Sequence, residues 1–220
     1  MCLEELLMKL HSAEDEIERA NAAEDLRSYE GEQVILALID ALGDEDQLVL
    51  VAAAEGLKNC YPASEPYLRM ALSDGTSRVR WGAAELLGSW PSPESEIALR
   101  MALMDEDPNV RGAAARSLRG MVREPTTIAE LRGLLDDRDS FPRYQALRTL
   151  CAFDPQLVDE AQVIRRDLES DDVPTRVAAI HFVREDGRQE WLSEIEGLID
   201  HPDFRIRRAA NWAWERLTQT

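Results

Sequence analysis

Lysine is nearly missing from this chain of 220 residues: of 25 basic residues only Lys9 and Lys58 are lysine, and the rest are arginine. The rigid guanidinium fork suits paired, partly buried sites, although codon bias produces the same skew. Cysteine is also sparse. Three residues, Cys2, Cys60 and Cys151, are odd in number and scattered, which excludes a disulfide framework and points to a reducing cytoplasm. The longest apolar run, VILALIDALG from Val34, is broken by Asp40 and falls well short of the ~20 residues of a membrane helix. The opening MCLEELLMKL carries acids where a secretory leader carries bases, so no leader is expected. Only His11, His181 and His201 are histidine, none at ligand spacing to another or to a cysteine. With no HExxH, CxxC, phosphate loop or nucleophile elbow, the sequence calls for no metal, no cofactor and no catalytic residue.

What is present in excess is acid. The net charge of −18 argues against nucleic-acid binding, which rests on basic residues neutralising phosphates. The charge is uneven. Residues 1–60 hold 15 acids against 4 bases, and residues 61–220 hold 28 against 21, so an acidic end precedes a nearly balanced body. Hydrophobic residues at 45% and charged residues at 31% place the chain among soluble globular proteins.

The pentapeptide LRMAL occurs at Leu68–Leu72 and again at Leu99–Leu103, 31 residues later. The same offset lays Val79, Arg80, Ala83, Ala84 and Leu87 on Val110, Arg111, Ala114, Ala115 and Leu118. Extended outward, a Val-Arg-x-x-Ala-Ala-x-x-Leu template places its second residue at 19, 50, 80, 111, 143, 176 and 207. A period of this size means stacked repeats. Apolar residues three and four apart make each template a helix, and a second amphipathic helix precedes it. The alanine pairs are packing positions that let neighbouring helices approach closely. Ser92-Pro93, Asp107-Pro108 and Asp154-Pro155 read as caps followed by proline in the first turn. Ser12 with Asp15 reads as a capping box for the first template helix.

This pattern resembles the HEAT repeat, of the short kind found in bilin-lyase-like and other bacterial HEAT proteins. The resemblance implies an all-α, right-handed α-solenoid of about seven stacked helix pairs, a single domain over 1–220. Its repeats are 1–29, 30–60, 61–90, 91–122, 123–153, 154–186 and 187–220.

Four residues before the template arginine position stand Asp15, Asp46, Thr76, Asp107, Asp139, Asp172 and Asp203. Each is expected to cap its template helix and to pair with the arginine one turn on, giving a structural ladder broken at Leu50. The Asp-rich turns at Asp74, Asp105 and Asp136 lack the twelve-residue loop and closing glutamate of a calcium site.

The resemblance further implies that the template helices line an inner surface. The outward positions on it are Ala20, Val51, Trp81, Gly112, Tyr144, Val177 and Arg208, then Glu24, Glu55, Glu85, Arg116, Arg148, His181 and Trp212. Glutamates at one end and cations at the other, with Trp81, Tyr144 and Trp212 as aromatic anchors, make Glu24, Glu55, Trp81, Glu85, Arg116, Tyr144, Arg148, His181, Arg208 and Trp212 the candidate partner-binding residues. The function that follows is a non-enzymatic cytoplasmic scaffold docking a basic protein on its inner face and acidic end, for instance an immunity protein against a cationic toxin. Two alternatives share the fold: a bilin-lyase-like tetrapyrrole carrier and a HEAT-like DNA glycosylase, the latter opposed by the net charge. No membrane or nucleic-acid partner is expected, and the sequence assigns no oligomeric state.

Overall fold

Apolar residues spaced by three and four resolve into helices throughout a computed structural model that describes residues 1–73, 75–121 and 123–219. Among these residues there is no strand, and fourteen α-helices fall into seven successive pairs: α1 (Leu3–Ser12) and α2 (Glu16–Leu26), α3 (Glu32–Ala41) and α4 (Gln47–Asn59), α5 (Glu65–Ala71) and α6 (Ser77–Leu87), α7 (Pro93–Ala102) and α8 (Pro108–Ser117), α9 (Pro125–Gly133) and α10 (Ser140–Phe153), α11 (Glu160–Leu168) and α12 (Val173–Asp186), α13 (Leu192–Glu196) and α14 (Phe204–Thr218). This is the α-solenoid that the period implies. The sequence treats residues 1–220 as one stack; the helices group into two compact units, Met1–Leu131 and Arg132–Thr220.

In the first unit α1, α3, α5 and α7 pack in succession as one layer, and α2, α4, α6 and α8 as the other. The alanine columns explain the seam between second helices: Ala22, Ala23, Ala53, Ala83, Ala84, Ala114 and Ala115 are all buried, with Ala54 half-buried. Gly82 has a steric role, since a Cβ there would lie 3.2 Å from Leu42 Cβ. Polar contacts tie the first helices together. The Glu65 carboxylate on α5 accepts from Ser92 and Ser95 at the start of α7, and Arg100 on α7 grips Glu130 on α9 at 2.7 and 2.6 Å.

The second unit closes on a core that includes Leu147, Ile180, Phe182, Trp191, Ile195, Ile206 and Leu217. The template puts Trp214 at a core leucine position, between repeats. The structure corrects this: the buried stripe of α14 runs Ile206, Ala209, Ala210, Ala213, Leu217, which turns Trp214 to solvent at 38% exposure.

The aspartate caps form largely as the spacing suggests. Asp15, Asp46, Asp107, Asp172 and Asp203 accept from the first-turn amides of α2, α4, α8, α12 and α14, and Thr76 does so for α6. Two cap assignments shift. Ser12 ends α1 and donates to the Met8 carbonyl, so no capping box starts α2. Asp154-Pro155 opens only a 3₁₀ turn, and Asp159 caps α11.

The arginine ladder is real, but its rungs run between repeats. Five of the arginines clamp their own turn by donating Nη1 to carbonyls five or six residues earlier: Arg19 to Ala13 and Glu14, Arg80 to Gly75, Arg111 to Asp105 and Glu106, Arg143 to Asp137 and Arg138, Arg207 to His201 and Pro202. The rest of the guanidinium reaches the next repeat, two residues before its cap for Arg19 and Arg80 and at the end of α11 for Arg143. Arg19 forks onto Asp44 at 2.8 and 3.0 Å, Arg80 onto Asp105 at 2.7 and 2.9 Å, and Arg143 onto Asp167 at 3.0 and 2.9 Å. Arg176 meets His201 in the same place. Asp44 and Asp105 in turn accept from the amides of Asp46 and Asp107. One carboxylate therefore shapes a turn and receives the neighbour's arginine, so those expected to pair within a repeat are left to cap, except Asp139, whose side chain makes no cap to α10. The acids of the turns at 105 and 136 are spent on such contacts, Asp136 by accepting from Arg166; Asp74 lies outside the described residues.

Candidate functional site

Of the expected partner-binding residues, the first unit holds five. On α2, Glu24 is exposed with Arg27 3.8 Å away, and on α4 Glu55 takes Lys58 at 2.7 Å. Lys58 and its charge hold the Glu55 carboxyl below its ordinary value. Glu85 on α6 pairs with Arg116 on α8, and Trp81 is half-buried on α6. Each carboxylate of this face thus has a base beside it, so the column is polar and internally balanced rather than bare acid.

In the second unit Tyr144 does not serve as an anchor. It is 6% exposed, stacks on Phe182 at 4.7 Å and donates its hydroxyl to Asp167 at 2.9 Å. Burial, then the Asp167 charge, pushes its pKa up. The residue after the ladder arginine points inward here, where its hydroxyl joins Arg143 and Arg166 as donors to the buried Asp167. Arg148 pairs with Glu185 at 2.7 Å and lies over the Phe182 ring.

The remaining three candidates come together. His181 on α12 and Arg208 and Trp212 on α14 line one small pocket of about 180 Å³, with Val177, Phe204, Arg205 and Ala209. Arg208 and Arg184 lie 5.2 and 5.3 Å from the Trp212 ring centre, within cation–π range. Burial, with the charges of Arg184 and Arg208, holds His181 below the ordinary imidazole value of 6.5. Arg184 and Phe204 went unnoticed in the sequence because neither stands in a template column, though Arg184 lies three residues after His181 on the same helix face.

A second feature is the apolar surface of the first helices. Met8, Leu36, Met70 and Met101, one from each of α1, α3, α5 and α7, are 48–69% exposed, and Met104 just beyond α7 is 88% exposed. Met70, Ile97 and Met101 line a groove of about 860 Å³ whose charged lining is Glu94, Asp105 and Glu106 with Arg69 and Arg80. A second groove, of about 760 Å³, carries Leu36 beside Glu14, Asp40 and Asp44. The signal for this row lay in LRMAL itself: Leu68, Ala71 and Leu72 take the buried face, leaving Met70 on the other. None of the cysteines is bonded; Cys2 is exposed, Cys60 and Cys151 are half-buried, and burial with Glu160 raises the Cys151 thiol to about 11.

A family model described as HEAT repeats matches residues 64–151. That stretch of the chain carries HEAT repeats. Among solved structures, the karyopherin Kap121p bound to the extreme C-terminus of the protein phosphatase Cdc14p is similar over 98% of this chain and 29% of its own, with TM-score 0.59 and 13% identity. YibA of Escherichia coli is similar over 99% and 82%, with TM-score 0.51 and 19% identity. The complex of CpcE and CpcF of phycocyanin lyase from Nostoc sp. PCC7120 gives 99% and 95%, TM-score 0.49 and 20% identity. A comparison with curated proteins gives no match. The likenesses to Kap121p and YibA show the solenoid fold alone, and the HEAT repeats suggest a protein-interaction scaffold. No helix among the described residues is long and apolar enough to cross a membrane.

Proposed function

We propose that this HEAT-repeat chain is a non-enzymatic scaffold that docks a basic, amphipathic segment of a partner protein on its first unit. The observation that carries it is the exposed methionine row lying on the acidic part of the chain. Residues 1–131 hold 25 acids against 12 bases, whereas residues 132–220 hold 18 against 13. Unbranched, polarizable methionines adapt to irregular apolar partners, and covering one contributes roughly 1.5–3 kcal/mol. Surrounding acid steers a basic partner and selects against acidic ones. The second-helix carboxylates contribute little to this, because Arg27, Lys58 and Arg116 already balance them; along the grooves Asp44 and Glu106 are likewise held by Arg19 and Arg80, which leaves Glu14, Asp40 and Glu94 with no arginine or lysine in ion-pairing distance among the described residues. The docking face supported best is therefore that of α1, α3, α5 and α7.

The test is titration with an amphipathic helical peptide bearing leucine on one face and arginine on the other. The scaffold binds it in a salt-sensitive way and binds a leucine-to-serine version much more weakly; Met70→Glu with Met101→Glu abolishes binding at unchanged melting temperature. Equal binding of both peptides, or of both proteins, rejects the assignment.

A further inference from the structure

The arginines of the second unit are nearly all engaged. Arg143 holds Asp167, Arg148 holds Glu185, Arg165 holds Glu194, Arg166 holds Asp136, Arg188 holds Glu160 and Arg205 holds Asp203. Arg184 and Arg208 differ. Among the described residues neither has a carboxylate within ion-pairing distance, and both are spent on the ring of Trp212, itself 48% exposed. In a chain of net charge −18, two uncompensated guanidiniums flanking an exposed indole are a local reversal of sign. Beside them lies the pocket of Val177, Phe204 and Ala209, with Phe204 61% exposed.

We propose that the α12–α14 surface is a second binding site, opposite in sign to the first, for an acidic peptide segment. One apolar side chain of the peptide seats against Val177, Phe204 and Ala209, and flanking carboxylates pair with Arg184 and Arg208. The size of the pocket fixes the class of ligand. At about 180 Å³ it holds one side chain and lies below the ~300–1,000 Å³ of a small-molecule or cofactor site. The charge count fixes the rest. Two free cations suffice for two carboxylates, while a nucleic acid needs a run of cations to displace its counterions, and most of the remaining arginines of this unit are committed either to carboxylates or, as Arg132, Arg176 and Arg207 are, to backbone carbonyls. Guanidinium forks match carboxylates bidentately, and the indole between them supplies an apolar wall. The site stands independently of the methionine row.

The experiment is fluorescence anisotropy on the full chain with a labelled ten-residue peptide of Asp and Glu around one central leucine, at about 0.15 M salt. The expected result is saturable binding, weakened at least about tenfold by Arg184→Glu with Arg208→Glu and about as much by Trp212→Ala. Both variants should keep the wild-type helical circular dichroism and melting temperature, since the altered side chains lie at the surface. A peptide with serine in place of the leucine should bind more weakly. The proposal is overturned if the wild type does not bind the peptide, if charge reversal leaves its affinity unchanged, or if a single-stranded oligonucleotide of equal charge binds more tightly. It is overturned equally if these variants act only by abolishing association of the chain with itself, which would make the occupant a second copy.

Discussion

The two units are built on one template and furnished from different stocks. All six methionines lie in the first unit and all four phenylalanines in the second. In the first, five methionines stand exposed on an acidic body. In the second, aromatic rings stack inside or lie under arginines, as Phe182 lies under Arg148 and Trp212 under Arg184 and Arg208. The rungs differ in the same sense. Arg19–Asp44 and Arg80–Asp105 keep 10–18% of their side chains in solvent, whereas Arg143–Asp167 keeps 4–5% and draws in the Tyr144 hydroxyl. A repeat fold thus holds its helices with one device while varying how deeply that device is buried and what is shown outside.

The largest expected effect tests that difference in depth. Arg143→Ala leaves the buried Asp167 with only Arg166 Nε and the Tyr144 hydroxyl as partners and should cost about 3 kcal/mol in urea unfolding, the low end for breaking a buried pair. Arg80→Ala, in a wetter rung, should cost about 1–3 kcal/mol, and equal costs would erase the distinction. Next comes packing. A Cβ on Gly88 would lie 2.8 Å from Ser117 Cβ and 3.0 Å from its Cα, whereas one on Gly133 would meet nothing within 4 Å. Gly88→Ala should therefore destabilise by about 1–3 kcal/mol, while Gly133→Ala, in helical backbone, should stabilise by up to about 1 kcal/mol; melting temperatures should move in opposite directions.

A smaller effect concerns acid. Hydrogen bonding from Arg19 holds the Asp44 carboxyl below its ordinary 3.8. A depressed folded-state value means that the rung stabilises above the unfolded value and that this contribution is lost as pH falls below 3.8 through the lower folded value. The stability difference between wild type and Arg19→Ala should be constant near neutrality and shrink as pH falls below 3.8. The smallest effect is Met70→Gln with Met101→Gln, which should change stability by no more than about 0.5 kcal/mol because both side chains are exposed. A larger loss would mean that the methionine row is core and not a docking face.

Much of this architecture was legible in one dimension because the repeat imposes it. The period, the buried alanines and the capping aspartates all depend on local geometry. The rungs were read one step out of place, because a column comparison ties each arginine to its own cap, four residues back, whereas the contact joins residues 24 or 25 apart across two helices. Tyr144 and Trp214 went wrong for a related reason. Which face of a helix turns inward depends on what its neighbour offers, and Asp167 and Leu217 decide it here. The cluster of His181, Arg208 and Trp212 was half visible; its sign was not, because compensation by carboxylates is a property of three dimensions.

Spectra of the full chain with labelled methionine methyls and tryptophan indoles, titrated in turn with the basic amphipathic and the acidic peptide, test the division of labour most directly. The basic peptide should shift Met8, Met70, Met101 and Met104 and leave Trp212 unmoved, and the acidic peptide should do the reverse. Both peptides moving the same resonances would contradict two surfaces of opposite sign.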